Sequence, residues 1–216
     1  ITNFNGDISN SINIKTAGEI SFLKRINSLI SIEGSILKGS FSGTNETRNI
    51  DEYIDPYPGL NLYEGNGEYF VTDFSEIDIQ ILYNLSEKLV SESVKMPEKI
   101  IFHIKGGFGL NKFNSINRNI DSENPIYSYG YIGENEGYID GSIEKSSFID
   151  SPNELVYLIG LVTKYDLDDK LSLIVDLTTR IGNTDYWDTY NNDSKKDKFN
   201  LLSIGISYTI GNSETE

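Results

Sequence analysis

The sequence predicts an all-β protein, an eight-stranded antiparallel transmembrane β-barrel with short periplasmic turns and long extracellular loops. Three observations lead to this prediction. Apolar and polar residues alternate with a period of two in many segments, tight turns and long connections alternate along the chain, and the 216 residues contain no apolar run long enough for a transmembrane helix. The length suits one barrel domain, predicted over 1–211, followed by a periplasmic tail over 212–216.

The clearest predicted strand is the last one, over Phe199–Gly211. One of its faces is apolar and consists of Leu202, Ile204, Ile206, Tyr208 and Ile210. The other face is small and polar and consists of Ser203, Gly205, Ser207 and Thr209. Such a strand matches a barrel wall with lipid outside and a polar interior.

Six further segments repeat this alternation. They are Ile14–Leu23, Ser28–Ser42, Phe70–Leu85, Ile100–Phe113, Glu154–Tyr165 and Leu171–Gly182. Bacterial single-chain barrels close with an even number of strands and keep both termini in the periplasm. We therefore expect Ile1–Ser9 to hold the end of a first strand whose remainder precedes Ile1, which gives eight strands.

The connections between these segments alternate in length. Lys24–Asn27 and Asp166–Lys170 are tight turns. The long connections cover residues 44–69, 114–153 and 183–198. Outer-membrane barrels show this asymmetry between periplasmic turns and extracellular loops. The connection over 86–99, which contains Pro97, is a longer one on the predicted periplasmic side.

The charge of the chain is strongly acidic, with a formal net charge of −15. This argues against a nucleic-acid partner, which requires clustered Lys and Arg. Acidic residues are frequent in the connections at 46–68 and 121–150, where solvated loops are favoured over a cation-binding surface. Asp185, Asp188 and Asp193 have oxygen ligands for calcium, but their spacing does not match an EF-hand loop. The absence of cysteine fits a cell-envelope protein.

Four segments, Asn5–Ile8, Phe74–Ser86, Lys105–Phe113 and Tyr165–Arg180, resemble small OmpA-like outer-membrane β-barrels of the Bacteroidota type. The resemblance covers nearly the whole chain. It implies an eight-stranded barrel in the bacterial outer membrane with periplasmic termini. Some proteins of this kind continue into a peptidoglycan-binding domain, which we do not expect in this chain, or serve as subunits of larger outer-membrane assemblies.

The predicted inner face carries charges of both signs. We expect a luminal charge network of Glu19, Glu33, Glu76, Asp78, His103, Lys105, Lys164, Asp176 and Arg180. Because the interior of an eight-stranded barrel is just wide enough to be filled by side chains, these groups are expected to form a paired plug. A narrow or gated pore is the alternative.

Other features of the predicted strands invite a catalytic or binding interpretation. His103 is the only histidine, so a satisfied luminal histidine is favoured over a zinc ligand or general base. Glu76 and Asp78 share a strand face, but neutralisation by Lys105 or Arg180 is favoured over acid–base catalysis. The glycine-rich Gly106–Gly109 opens no helix, so we interpret it as close packing within the wall. We therefore expect no catalytic residue, cofactor or metal.

Tyrosine is the informative aromatic residue. The lipid-facing and interfacial set is predicted to include Tyr83, Tyr157, Tyr165, Leu202, Ile204, Ile206 and Tyr208. Tyr69, Tyr186 and Trp187 are predicted to join the same aromatic girdles. A second group, Tyr53, Tyr57, Tyr63, Tyr127, Tyr129, Tyr131 and Tyr138, falls in the long loops. Contact with a partner or surface glycan and packing within the loops are both compatible with these positions.

Two functions follow from these predictions. The first is a non-enzymatic outer-membrane barrel that serves as a structural or accessory subunit of a larger assembly, or presents its tyrosine-rich loops at the cell surface. The second is a small or gated solute or ion pore. The expected partners are outer-membrane lipid, lipopolysaccharide and other outer-membrane proteins. A soluble lipocalin-like barrel is disfavoured because its apolar faces would point inward around a ligand.

Overall fold

The computed structural model describes residues 1–5, 14–45, 67–86, 99–131, 134–135, 138–139, 151–183, 186–189 and 196–210. Over these residues the fold is all-β, as predicted. None of the described residues belongs to a helix long and apolar enough to cross a membrane.

The described residues form eleven strands. They are β1 (Thr2–Asn5), β2 (Ala17–Arg25), β3 (Ile30–Asn45), β4 (Glu68–Asn84), β5 (Ile100–Asn119), β6 (Pro125–Tyr129), β7 (Glu134–Asn135), β8 (Tyr138–Ile139), β9 (Asn153–Asp166), β10 (Leu171–Gly182) and β11 (Lys198–Tyr208). The main sheet has the order β1-β11-β10-β9-β5-β4-β3-β2, and every neighbouring pair is antiparallel. The prediction of an antiparallel all-β fold is therefore confirmed.

The sheet curls so that its inner face encloses an interior. β4 and β10 are separated by two strands in the sheet, yet Arg180 Nε of β10 lies 2.8 Å from Glu76 Oε1 of β4. At the two edges of the sheet, Thr2 of β1 pairs with Leu201 of β11 and also forms an isolated antiparallel bridge with Lys15, just before β2. The first strand thus contacts both edges of the curled sheet.

Two tight turns lie at one end of the sheet, and each is held by an Asn or Asp side chain. Asn27 Oδ1 accepts hydrogen bonds from the N–H groups of residues 29 and 30, at 2.9 and 2.8 Å. Asp168 Oδ1 accepts from the N–H groups of Lys170 and Leu171, both at 2.8 Å. These backbone hydrogen bonds, the one from Lys170 first, lower the pKa of Asp168 from 3.8. We call this end of the sheet the turn end and the opposite end the loop end.

Each predicted strand segment overlaps a described strand, but the connection predicted over 114–153 was wrong in its first part. β5 continues to Asn119, and β6 pairs back against it with a register shift between Asn117 and Arg118. The alternation of charged and apolar residues stops there because the inward positions are Ser115 and Asn117. Hydrophobic periodicity therefore gives no signal for this extension.

Several predicted features lie outside the described residues. They include most of the long connections, the connection over 87–98, Asp185, Asp193, Tyr53, Tyr57, Tyr63 and the tail over 212–216.

Candidate functional site: a charged interior and an aromatic cluster

The two faces of the sheet exchange polarity part of the way along the strands. Towards the turn end, the buried side chains of β4 are Glu76, Asp78, Gln80 and Leu82, and the exposed ones are Ile77, Ile79 and Ile81. Towards the loop end, the buried side chains of β4 include Phe70 and Phe74, and the outer positions include Asp73 and Ser75. The interior is therefore charged beside an apolar outer face and aromatic beside a polar one.

A buried ion-pair cluster joins β4 and β10 across the interior. Arg180 Nε donates to Glu76 Oε1 at 2.8 Å, and Arg180 Nη2 lies 3.7 Å from Asp78 Oδ2. None of these three side chains is exposed. Asn111 Nδ2 donates to the second Glu76 oxygen at 3.0 Å, and Ser35 Oγ donates to Asp78 at 2.8 Å. One guanidinium group thus lies between two carboxylates that further polar side chains hold in place.

A second buried pair joins β5 and β10. Lys105 Nζ lies 2.5 Å from Asp176 Oδ2, with the Lys105 side chain fully buried and that of Asp176 11% exposed. Gly160 of β9 lies between these strands, paired with Lys105 on one side and Thr178 on the other. A Cβ at Gly160 would lie 2.6 Å from the carbonyl oxygen of Leu177. The glycine therefore leaves the space over which Lys105 reaches Asp176.

The glycines of β5 allow close packing beside the charged cluster. A Cβ at Gly107 would lie 2.2 Å from the carbonyl oxygen of Ile79, and a Cβ at Gly109 would lie 2.8 Å from the Cβ of Asp78. Both contacts are too close for any other residue unless β4 moves. The run Gly106–Gly109 lies inside a strand, which agrees with its interpretation as a packing feature of the wall.

An aromatic cluster fills the interior towards the loop end. It consists of Phe4, Phe41, Phe70, Phe74, Phe113, Trp187 and Phe199, packed with Leu37, Val156 and Leu201. Phe41 is central, with ring-centroid distances of 5.1 Å to Phe4 and 4.8 Å to Phe199. The cluster draws side chains from β1, β3, β4, β5, β9 and β11, so it ties distant parts of the sheet together.

The prediction that Trp187 belongs to an interfacial girdle was wrong, because its side chain is fully buried in the aromatic cluster. Polar groups of the wall hold its backbone inside. Its N–H donates to Asp197 Oδ2 at 2.8 Å, and its carbonyl oxygen accepts from Ser115 Oγ at 2.7 Å and from Thr72 Oγ1. Thr189, with φ at 70°, then adopts a left-handed conformation. A segment predicted only as a loop thus enters the interior.

Two of the loop tyrosines pack against the protein itself. The loop residue Tyr129 contacts Tyr186 with ring centroids 4.9 Å apart, and both are partly buried against the aromatic cluster, so the prediction that Tyr186 joins a girdle was wrong. Tyr131 is buried beside Ile116. Asp188, one of the acids considered for calcium, is fully buried.

Four of the predicted interior charges lie outside the two buried ion pairs. Glu19 and Glu33 lie on the inner face of β2 and β3 and form no ion pair with any described residue. His103 has a buried Nδ1 that has no hydrogen-bond partner in the described structure. Lys164 instead pairs with Asp166 at 3.0 Å, with 28% and 33% of the two side chains exposed. These four groups lie towards the turn end.

The outer face carries an apolar belt, which we define by two rows of paired residues. The first row contains Ile20, Ile36, Ile77, Leu110 and Leu155, and the second contains Leu202, Leu177, Leu161, Ile104, Tyr83 and Ile30. All of them are exposed except Tyr83, which is half-buried. The row next to the first, on the loop side, is polar and contains Gly18, Lys38, Ser75, Lys112 and Asn153. The belt therefore ends abruptly between adjacent rows.

The other predicted lipid-facing residues also lie on this outer face. Tyr157, Tyr165, Ile204, Ile206 and Tyr208 are 47%, 39%, 74%, 73% and 63% exposed. Most of them extend the belt towards the turn end, beside the second row.

The buried ion pairs of the charged interior join β4, β5 and β10 to one another. No group of three or more potential metal ligands occurs within the described part of the chain. Sequence reasoning missed the aromatic cluster and the polar partners Asn111 and Ser35. Except for Trp187, which lies in no strand, both sets share the inward strand phase of the predicted charges, so that phase was the available signal. No family model matches the sequence, and no curated protein matches it.

Proposed function

We propose that the protein is a non-enzymatic integral β-barrel of the bacterial outer membrane, of the small OmpA-like type that its strands resemble. The apolar belt carries this proposal. Soluble monomers rarely expose contiguous apolar patches larger than a few hundred Å², whereas this belt continues from β2 to β11 through paired rows of large side chains.

The height of the belt supports a membrane. On β5 the outward apolar positions run from Ile100 to Leu110 and are followed by Lys112. Ten residue steps at ~3.3 Å each give about 33 Å along the strand, or about 25 Å at a tilt of ~40°. This matches the apolar band of about 25 Å found on outer-membrane barrels.

The contents of the interior favour a structural or accessory role over transport. The Glu76–Arg180 pair lies across the interior and the Lys105–Asp176 pair lies over β9, both at the level of the belt, and the aromatic cluster fills the interior towards the loop end. The two layers block the lumen in series. A role as a subunit of a larger outer-membrane assembly, or as a surface protein that presents its long loops, fits such a blocked barrel. Its partners would be membrane lipid, lipopolysaccharide and other envelope proteins.

A pair of variants tests the membrane setting. Ile79 lies between the two rows of the belt, and Ser75 lies on the same face of β4, in the polar row. Ile79→Lys places a charge among the belt residues, where it costs about 2–4 kcal/mol near the bilayer midplane. We expect Ile79→Lys to lower the fraction of protein that inserts into liposomes, and Ser75→Lys to insert like the wild type. A protein that stays soluble without detergent, with no effect of Ile79→Lys, would contradict the proposal.

Planar-bilayer recordings separate the plugged barrel from the pore. We expect no reproducible single-channel steps from the wild type. Regular steps whose size changes in Glu76→Gln or Arg180→Met would establish the gated pore instead. Purification in mild detergent, followed by mass spectrometry of the bound proteins, tests the accessory role, and a barrel that purifies alone would weaken it.

A further inference from the structure

Two oxygen acceptors lie opposite each other on the inner face of β3 and β4. Glu33 of β3 pairs directly with Gln80 of β4 in the register of the two strands. Side chains in such a pair have their Cβ atoms about 4.5–5.5 Å apart. Both residues are buried, with Glu33 8% and Gln80 1% exposed. Ser35 and Asp78 form the next inward pair towards the loop end.

The Asp78 carboxylate fixes the orientation of the Gln80 amide. Gln80 Nε2 donates a hydrogen bond to Asp78 Oδ1 at 2.8 Å. Because an ionised carboxylate only accepts hydrogen bonds, the reversed amide would place two acceptors in contact. Gln80 Oε1 is therefore turned away from Asp78. This oxygen is buried and has no hydrogen-bond partner among the described residues.

The Glu33 carboxylate also lacks a partner. It forms no hydrogen bond or ion pair with any residue that the structure describes. By contrast, both oxygens of Asp78 and both oxygens of Glu76 accept hydrogen bonds. Two facing acceptors without a donor repel each other and have lost hydration, so the Glu33–Gln80 pair needs a positive species.

The charges around Glu33 do not supply this positive species. Glu33 interacts electrostatically with Lys105, Glu19, Asp176 and Asp78. Lys105 is the one cation of these four groups, and it already lies 2.5 Å from Asp176. Glu19 of β2 likewise forms no ion pair with a described residue. Two carboxylates thus share this part of the interior without a counter-charge of their own.

We propose that the interior beside Glu33 and Gln80 is a binding site for a small monovalent cation such as Na⁺ or K⁺. Glu33 supplies a carboxylate, Gln80 supplies a buried carbonyl oxygen, and Glu19 adds its negative charge from β2. Carboxylate and carbonyl oxygens can replace the hydration shell of such an ion. A monovalent ion is assigned because the described residues contain no group of three or more side chains that could chelate a more demanding metal.

A cation accounts for both unpaired carboxylates, whereas a proton accounts for one. A proton on Glu33 would join one carboxyl oxygen to Gln80 Oε1 and would leave Glu19 uncompensated. An ion is attracted by both carboxylates and coordinates several oxygens at once. The aromatic cluster fills the interior towards the loop end, so the ion would enter from the turn end.

The cation dependence of thermal unfolding in detergent micelles tests the site. The chlorides of Na⁺, K⁺ and N-methylglucamine are compared at constant ionic strength, because N-methylglucamine is too large to lie between two opposite side chains. We expect the unfolding midpoint to rise by about 3–5 °C for each tenfold increase in Na⁺ or K⁺ above the dissociation constant. N-methylglucamine should produce no such rise.

Glu33→Gln is the decisive variant. Its new amide nitrogen can donate to Gln80 Oε1, so the variant removes the charge and satisfies the unpaired acceptor without an ion. We expect it to lose the cation-specific shift and to be at least as stable as the wild type in N-methylglucamine. Asp169→Asn removes one negative charge from an exposed turn position, so it is the matched control and should keep the shift. The sodium NMR line should be broadened by the wild type and Asp169→Asn, and not by Glu33→Gln.

Three results would overturn the proposal. Equal midpoints in all three chlorides would mean that no ion is bound, and a full shift in Glu33→Gln would place the ion elsewhere. A midpoint that follows pH near neutrality but not the identity of the cation, with an infrared carboxylic-acid band that disappears in Glu33→Gln, would show a bound proton instead. A failure of liposome insertion is a different result, because it removes the membrane setting while the measurements in micelles still report on the interior.

Discussion

Replacing Lys105 by methionine tests how strongly the interior ion pairs stabilise the sheet. Methionine keeps most of the length of the side chain but removes its charge. The Asp176 carboxylate would then stay buried, with the Thr178 hydroxyl as its remaining hydrogen-bond donor among the described residues. Lys164→Met is the matched control, because Lys164 also pairs with an aspartate but is partly exposed.

The expected losses in the free energy of unfolding follow from the burial of each ion pair. Lys105 is fully buried and lies 2.5 Å from Asp176, and removing one partner of such a buried pair costs about 3–5 kcal/mol. The Lys164–Asp166 pair has side chains that are 28% and 33% exposed, and pairs at this level of exposure contribute about 0–1 kcal/mol. We therefore expect Lys105→Met to lower the free energy of unfolding by about 3 kcal/mol more than Lys164→Met does.

Urea unfolding in lipid vesicles, followed by the fluorescence of the single tryptophan, measures both variants. The double variant Lys105→Met/Asp176→Asn removes the unpaired charge, so it should be more stable than Lys105→Met alone. Equal losses for Lys105→Met and Lys164→Met, or a double variant that is no more stable than Lys105→Met, would refute the reasoning.

Three further predictions concern packing, the buried tryptophan and a turn. Gly107→Ala should lower the free energy of unfolding by about 1–3 kcal/mol, whereas Gly18→Ala, where an added Cβ meets nothing within 4 Å, should cost under about 1 kcal/mol; equal urea midpoints would contradict this. Brominated lipid should quench the fluorescence of Trp187 weakly. It should strongly quench the tryptophan fluorescence of the double variant Phe22→Trp/Trp187→Phe. Strong quenching of Trp187 would place its side chain at the lipid. The pKa of Asp168 is lower in the folded protein, so the stabilisation by its carboxylate is present above about pH 4 and lost as the pH falls through the folded pKa. Asp168→Ala should therefore lower the free energy of unfolding at pH 7 and much less at pH 3. A loss of stability that does not depend on pH would show that the charge of the Asp168 carboxylate is not its cause.

The sequence was sufficient to predict the strands in which apolar and polar residues alternate with a period of two. β10 is predicted over Leu171–Gly182 and found over the same residues, because its outward positions are mostly apolar and its inward positions are mostly polar. The end of β5 was missed, since the inward residues beyond Phe113 are the small polar Ser115 and Asn117. Ser115 donates a hydrogen bond to the carbonyl oxygen of Trp187 and Asn117 donates one to Glu68, so their burial depends on polar partners and not on their own hydrophobicity.

The interior was predictable in composition but not in its pairing. The strand phase places Glu76, Lys105, Asp176 and Arg180 on one face, and this follows from the sequence alone. Which charges meet depends on the stagger of β10 against β4 across the interior, and no local pattern encodes that stagger. Trp187 was misplaced for a related reason, because a residue in a loop has no period to show which side of the wall it occupies.

The change of polarity along β4 indicates that two different forces hold one sheet together. Towards the loop end the outer face is polar, so water surrounds it and the hydrophobic effect drives Phe70 and Phe74 into the interior. Towards the turn end, in the proposed bilayer, lipid solvates the outer isoleucines and burial of apolar surface supplies no such drive. Backbone pairing and the buried ion pairs must define the wall there. In the proposed bilayer, the loop-end half would therefore be held together like a soluble core and the turn-end half like a membrane protein.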